Sequence, residues 1–306
     1  MGMATYYAKD KNRSAEITAE VRSLSMVRAG YYESAQNYAT WIEDGKHRGR
    51  KEQFLNIKPL RPPRHIAQKL LDAHRIIMMS GTMFEPDIRD LVGDAPYSFL
   101  DVDSPIPADR RPIHFEPAPY KMNFETDPAI VAADLVETIR KNTLDNKRPN
   151  TIIHVSYAWS KRLEKHVPSD WLVNTAETKD AVLKKFKSEG GVFLAAGCAE
   201  GLDLKGDLCR LNIIPHLLFP AMQDKIVERR KALEDGETWY LMETMKAVIQ
   251  QAGRSTRDVS DWSKVIIRDR NFAWVYKRVK AQLPKSFKDS IVWAPTGRMW
   301  PPADGV

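Results

Sequence analysis

The sequence predicts an α/β fold: a parallel sheet with helices on both faces, preceded by a smaller mixed α/β segment. Three observations carry that expectation. Between 127 and 268, short apolar strands alternate with helices, the pattern of a parallel sheet whose crossovers cover its faces. Residues 102–128 are rich in Pro and Asp, including Ser104-Pro105, Ile106-Pro107 and Arg111-Pro112, which marks a candidate boundary. The chemistry-bearing residues cluster where predicted strands end, the side on which such sheets bind ligands. The expected division is an N-terminal segment over 1–100, a main domain over 101–292 and a flexible tail over 293–306.

The first segment is the least legible. Ala15 to Ser34 carries Ile17, Val21 and Leu24 at helical spacing. Tyr38 to Glu43 and Gln53 to Lys58 read as two strands around a polar turn from Asp44 to Lys51. Five basic residues between Lys46 and Lys51 fit a solvated hairpin loop or a contact with phosphates. Pro62-Pro63 introduces a helix through Ile66, Leu70 and Leu71. Arg75 to Ser80 reads as a short apolar strand that runs into Ser80-Gly81-Thr82-Met83.

The main domain begins with one short strand near Ile113 to Phe115, within the Pro-rich stretch. A helix is expected from Asp127 to Lys141, with Ile130, Leu135, Val136 and Ile139 apolar. Strands are expected at Thr151 to Val155, Trp171 to Val173, Gly191 to Ala196, Leu208 to Pro215 and Trp262 to Arg268. Helices are expected at Trp159 to His166, Lys179 to Ser188, Ala221 to Leu233 and Thr238 to Gln251. His154, on an apolar strand, reads as a packed core histidine. Trp159 and Trp171 read as core rather than base-stacking platforms.

Composition narrows the chemistry. The chain has 306 residues, 43% of them hydrophobic, and 47 Lys+Arg against 40 Asp+Glu, a formal net charge of +7. That excess favours a polyanionic partner and also fits simple solubility. Two cysteines, Cys198 and Cys209, cannot alone hold an iron–sulfur cluster or a four-thiolate zinc. The absence of a disulfide framework suggests a reducing compartment, and no apolar run approaches the ~20 residues of a membrane span. The expected location is the cytoplasm, with no membrane partner.

The stretch Gln250-Gln-Ala-Gly253-Arg254-Ser-Thr-Arg257 is the most pointed. Residues three apart face the same way on a helix or tight turn, so Arg254 and Arg257 can meet one anionic group. Guanidinium forks onto phosphate oxygens and suits the charge that develops in phosphoryl transfer. Taken by itself the pattern also fits a solvated basic helix end.

Read in order, Ser80-Gly-Thr-Met, Ile152 to Tyr157, Ala199-Glu-Gly-Leu-Asp-Leu-Lys-Gly206 and Gln250 to Arg257 resemble the C-terminal half of superfamily 2 helicases of the XPD/DinG family. The likeness extends from about Phe54 to Phe272, including Asp261 to Phe272. It implies a RecA-like fold, a helicase C-terminal domain behind a remnant of the first helicase domain. It further implies roles: Ser80, Gly81 and Thr82 as the motif that couples nucleotide state to strand movement, with Ser156 and Tyr157 as the next. Glu200, Gly201 and Asp203 would touch nucleic-acid backbone and the nucleotide. Gln250 and Gly253 would belong to the nucleotide-binding motif whose Arg254 and Arg257 are arginine fingers. Each has a plainer alternative: Gly201 a turn, Asp203 a cap or an ion pair. Met83 stands where the family has Leu, and Cys198-Ala199 where it has bulkier or hydroxyl residues.

No G-x-x-x-x-G-K-[ST] phosphate loop and no Asp-Glu-Ala-His box appears in the sequence. The resemblance therefore implies ATP and Mg²⁺ held only together with a Walker-A/DEAH domain or chain in trans. It also implies single-stranded or forked DNA as substrate, in replication or repair, and no iron–sulfur cluster in this chain. A split or cut-down helicase of a phage or other mobile element fits the size. The competing expectation is a non-catalytic nucleic-acid-binding or scaffold protein that retains the fold.

Overall fold

The computed structural model describes Ser25, Arg28, Tyr31 and residues 35–47, 50–62, 72–143, 147–198 and 202–293. In chain order, the first elements are β1 (Tyr38–His47), β2 (Arg50–Pro59) and α1 (Glu85–Val92). Then come β3 (Ile113–Phe115), α2 (Pro128–Lys141), β4 (Thr151–Val155), α3 (Tyr157–Leu163), β5 (Leu172–Val173), α4 (Lys179–Glu189) and β6 (Val192–Ala196). The chain continues through β7 (Leu211–Ile214), α5 (Lys225–Lys231), α6 (Gly236–Ala252), β8 (Lys264–Ile267), α7 (Asn271–Val279), α8 (Lys285–Asp289) and β9 (Ile291–Trp293). Two compact units result, Met1–Phe99 with Ala221–Glu237, and Leu100–Pro220 with Thr238–Val306.

In the second unit the described strands form one parallel sheet in the order β5-β6-β4-β7-β8-β3-β9. Every residue of β4 and β6 is buried, as expected of strands covered on both faces. On one face α2 and α3 press Leu135 and Leu163 onto Ile153 and Leu194; on the other, α4 presses Phe186 onto Ile152 and Phe193. Truncating such a side chain to Ala costs about 2–5 kcal/mol. The helix α2 starts where Asp127 accepts a bond from the Ala129 amide at 2.9 Å and Pro128 takes the first position. It ends on Arg140 and Lys141; cap, proline and terminal cations each suit their end of the helix dipole.

The order of strands places a topological switch at β4. After β4 the chain moves outward to β5, returns to β6, then crosses to β7 on β4's other side. The loops that leave β4 and β6 at their carboxyl ends therefore flank that switch, where ligands of open α/β sheets bind.

In the first unit β1 and β2 pair antiparallel along their full length. The buried Arg230 forks onto Asp235 at 2.6 and 2.7 Å and reaches Asp90 at 3.2 Å, and Arg61 bonds Asp235 at 2.6 Å. This shared network ties residues 221–237 to α1 and to the end of β2. The Arg230 guanidinium holds the Asp235 carboxyl below its usual range, against the opposing effect of burial and with help from Arg61.

Several expectations change here. Residues 44–47 and 50–51 are strand rather than turn, so the hairpin is longer than its apolar pattern suggested. Arg75 to Ser80 forms no strand: the segment is irregular and Ile77 and Met79 are 86% and 89% exposed. An apolar run lacking a neighbour in register has no ladder to join. Trp293, assigned to the tail, ends β9 and packs its ring on Phe115, Phe272 and Tyr276 at centroid distances of 5.4, 5.9 and 5.2 Å. Of the helix expected over 15–34 only Ser25, Arg28 and Tyr31 are described, each of them helical; the helix through Ile66, Leu70 and Leu71, the tail from 294 and the expectations at Ala199, Glu200 and Gly201 lie outside the described residues.

Candidate functional site: an arginine turn at the sheet switch

Leu202 and Leu204 are fully buried in the core beside α4. They anchor the loop that follows β6 and leave Asp203 between them exposed. Against this loop runs the turn that ends α6. The Gly253 amide closes the helix onto Ile249 O at 2.9 Å, and a Cβ on Gly253 would approach the same oxygen to 3.3 Å. Leu204 N then donates to Arg254 O at 3.3 Å, joining loop and turn by backbone.

Within the turn, two buried residues stand between the arginines. Ser255 and Thr256 point inward, Thr256 bonding Ser263 hydroxyl to hydroxyl at 2.6 Å. Arg254 and Arg257 point to the same place. Arg254 Nη1 donates to Leu202 O at 3.4 Å and Arg257 Nη2 to the same oxygen at 3.2 Å, while Arg257 Nε lies 3.4 Å from Asp203 Oδ1. Two guanidiniums thus converge on one carbonyl at the carboxyl side of β6. Asp203 takes the ion-pair alternative that the sequence left open. Gln250 sits half-buried in the last turn of α6.

Asp261 organises this arrangement; in the sequence it stands only as the first residue of the stretch Asp261 to Phe272 that carries the resemblance, just before the expected strand at Trp262. Its Oδ2 accepts from Gly206 N at 3.0 Å and Arg257 N at 3.4 Å; its Oδ1 accepts from Arg210 Nη1 at 2.6 Å and Trp262 N at 2.8 Å. Burial alone would raise this carboxyl, but the bonds from Gly206, Arg210, Trp262 and Arg257 outweigh it and hold the group below its usual range. Gly206, at φ +65°, has open space where a Cβ would stand, so its backbone conformation is what favours glycine. The available signal was an acid a few residues past a basic turn, which many solvated loops share.

Beneath the arginines lies a buried polar layer. Asn212 Nδ2 donates to Gln251 O at 2.8 Å and to Ser255 Oγ at 3.3 Å, fastening the end of α6 to β7. Register pairs Asn212 with Ile152, so the same sheet face carries His154. Among the described residues neither His154 ring nitrogen nor the Gln251 side-chain amide has a hydrogen-bond partner. Burial, and then the charge of Arg254, push His154 down to about 3; burial pushes His216 down to about 4. Both rings stay neutral in the folded chain near neutral pH. The unfolded chain protonates them near 6.5, so it binds more protons between that value and the folded ones, and stability falls as pH is lowered from about 6.5. Urea midpoints measured from pH 7 to 4 should decline, and His154→Leu should flatten that decline; an equal slope in the variant would remove His154 as a cause.

Ser156 caps α3, its Oγ accepting from Trp159 N at 3.3 Å. Tyr157, its neighbour, lays its ring over Gly197, where a Cβ would come 2.5 Å from the hydroxyl oxygen; Gly197 has φ +64°. Both residues therefore stand at the switch, in structural roles. Trp159 and Trp171 are buried in the core as expected. Ser80, Gly81 and Thr82 belong to the first unit, where Thr82 N donates to Ser80 Oγ at 3.2 Å. Gly81 has nothing within 4 Å of its Cβ position and no positive φ, so sterics impose no glycine there.

The parallel sheet with helices on both faces makes this a RecA-like α/β domain. Residues 150–290 match the profile of the helicase C-terminal domain. The solved structure titled "XPD_Helicase" superposes with TM-score 0.54 at 16% identity, covering 86% of this chain and 49% of that one. The Xpd4 of S. tokodaii gives 0.51 at 18%, covering 78% and 49%. The Culex quinquefasciatus regulator of telomere elongation helicase 1 homolog is 30% identical over 128 residues, 37% of this chain and 13% of its own length. The Gallus gallus Fanconi anemia group J protein homolog is 33% identical over 103 residues, 29% and 8%. Over residues 150–290 the chain is thus similar to helicase C-terminal domains, on a fold shared with the XPD structures. The chain spans about half of the solved chains it matches and a small part of the curated relatives. Among the described residues no helix is long and apolar enough to cross a membrane.

Proposed function

We propose that this chain is the C-terminal motor half of an ATP-dependent DNA helicase. Arg254 and Arg257 supply the arginine fingers of an ATP site whose phosphate loop and Mg²⁺ ligands come from a P-loop domain, in trans or in a longer polypeptide. The observation that carries the reading is the convergence of both guanidiniums on Leu202 O, beside Asp203, at the sheet switch. The donor set fits a polyphosphate: two forked cations on a turn whose backbone is tied to its neighbouring loop. Among the described residues no group of three or more His, Cys, Asp or Glu is gathered to hold a metal, and the reading assigns Mg²⁺ to the partner domain. Bound there, ATP and Mg²⁺ supply the transferable phosphoryl group and its counter-charge.

The chain's own residues then do three things. Arg257 exchanges Asp203 for phosphate oxygens, Arg254 neutralises charge from the adjacent position, and Asp261 keeps the turn seated on the 202–206 loop. The +7 net charge suits single-stranded or forked DNA held through its phosphates, in replication or repair. One observation favours a second reading, a binding protein that kept only the fold. The Arg257–Asp203 pair is also what a purely structural turn would make.

The chain alone is expected to show no DNA-stimulated ATP hydrolysis above background. Steady-state phosphate release from repurified protein checks this. Activity that persists through repurification and disappears with Arg257→Ala would contradict the division of the site.

A further inference from the structure

We propose that the tip of the β1–β2 hairpin grips the phosphates of a single nucleic-acid strand, with Ile42 and Leu55 lying against its bases. The inference deepens the functional reading and rests on its nucleic-acid part.

The ribbon is long and stiff. Each strand has ten residues, roughly 33 Å at the usual rise. On one face Phe54 covers Gly45 so closely that a Cβ there would meet the ring at 2.7 Å, and Lys58 sits 5.5 Å over the Trp41 ring. An aromatic laid over a strand glycine pins the local pairing.

The opposite face is arranged for a ligand. From the tip inward its cross-strand pairs are Lys46 with Lys51, Asp44 with Gln53, and Ile42 with Leu55. Like charges directly opposite destabilise a hairpin, and Lys46 and Lys51 stand so. The nearby carboxylates do not relieve it. Asp44 accepts from the Gln53 amide at 3.2 Å and Glu43 from the Asn56 amide at 3.4 Å. Among the described residues Lys46 and Lys51 make no ion pair, and both are exposed. Ile42 and Leu55, a paired aliphatic step on the same face, are each 66% exposed. A paired Lys46 and Lys51 without carboxylate partners among the described residues, followed by an uncovered apolar step, matches a polyanion that carries flat apolar faces. A β-ribbon of this kind offers phosphate contacts without base-edge readout, so binding is indifferent to sequence.

The test is fluorescence anisotropy of a labelled oligothymidylate over a salt series, with the full chain. Each phosphate contact contributes about −0.7 to the slope of log K against log salt on single strands, so K46A/K51A should weaken binding about tenfold at low salt and reduce the slope by about 1.4. The same variant should melt no lower than the parent, because it removes a like-charge pair. I42T/L55T should weaken binding severalfold and leave the slope unchanged, since apolar contacts release no counterions. The control K184A/K187A removes the same charge from exposed positions on α4 and should change affinity by less than about twofold if general charge is not the cause. Unchanged affinity in K46A/K51A overturns the hairpin proposal while the functional reading stands. So does an equal loss in the α4 control, or a dimer formed through Ile42 and Leu55 that excludes the oligonucleotide. Absence of binding by the parent chain overturns both.

Discussion

Arg254→Lys and Arg257→Lys should each lower kcat of the completed ATP site by about 10³-fold or more, the low end of what arginine fingers contribute. Nucleotide affinity should move far less, because the fork acts on charge that spreads over the transferring oxygens in the transition state. Lysine keeps the positive charge and loses the planar fork, so it should not rescue turnover. The two variants need not be equal. Arg257 Nε already pairs with Asp203 Oδ1 at 3.4 Å, and a phosphate must compete with that carboxylate. Asp203→Asn should therefore leave kcat intact and tighten nucleotide binding modestly. Strand binding should survive in all three. The measurement is steady-state ATPase with a P-loop domain present, alongside oligonucleotide affinity; near-parental kcat in both lysine variants would make these arginines structural.

Asp261→Ala should be the most damaging change away from the arginines, at about 3 kcal/mol, the lower end for breaking a buried pair. Among the described residues the loss leaves Arg210, mostly buried, with the exposed Asp207 alone as an acid partner, and it releases the amides of Gly206, Trp262 and Arg257. The pH sign follows from the carboxyl's depressed value. Its contribution is fully present above the unfolded value of about 3.9 and is lost as pH falls through the lower folded one. That window opens only below about 3.9, whereas the one expected of His154 begins near 6.5, so the interval between pH 6.5 and 4 isolates the histidine in a urea–pH series. Asp261→Asn keeps the shape and gives up the charge, and should fall between parent and alanine. An alanine variant as stable as the parent would remove Asp261 as the clamp of the arginine turn.

The central sheet was legible because β4, β6 and β7 are short apolar runs bounded by polar residues, and their burial on both faces leaves little else for those runs to do. Arg254 and Arg257 were legible because residues three apart share a direction once the chain is a helix or a tight turn. Other features were hidden for physical reasons. β9 has three residues, and only its place beside β3, with Trp293 among Phe115, Phe272 and Tyr276, makes it a strand. Ile76 to Met79 has strand-like residues but no partner in register. Arg230, within Glu-Arg-Arg-Lys, reads as a solvated helix face, yet it is buried because Asp90 arrives from distant sequence and Asp235 folds back from five residues on. Asp261 is a site residue only through Gly206 and Arg210, both more than fifty positions away. Ser156 and Tyr157 were found at the switch, but as a cap and as a cover for Gly197.

The most direct test of the whole account is a single-turnover assay. A P-loop domain carrying the Walker-A and Asp-Glu-Ala-His motifs is held with radiolabelled ATP and oligothymidylate while this chain is titrated in. The account predicts a saturable rise in the hydrolysis rate with the parent chain, and none with the Arg254→Lys/Arg257→Lys double variant at equal nucleotide and strand occupancy. A double variant that stimulates hydrolysis as well as the parent would contradict it.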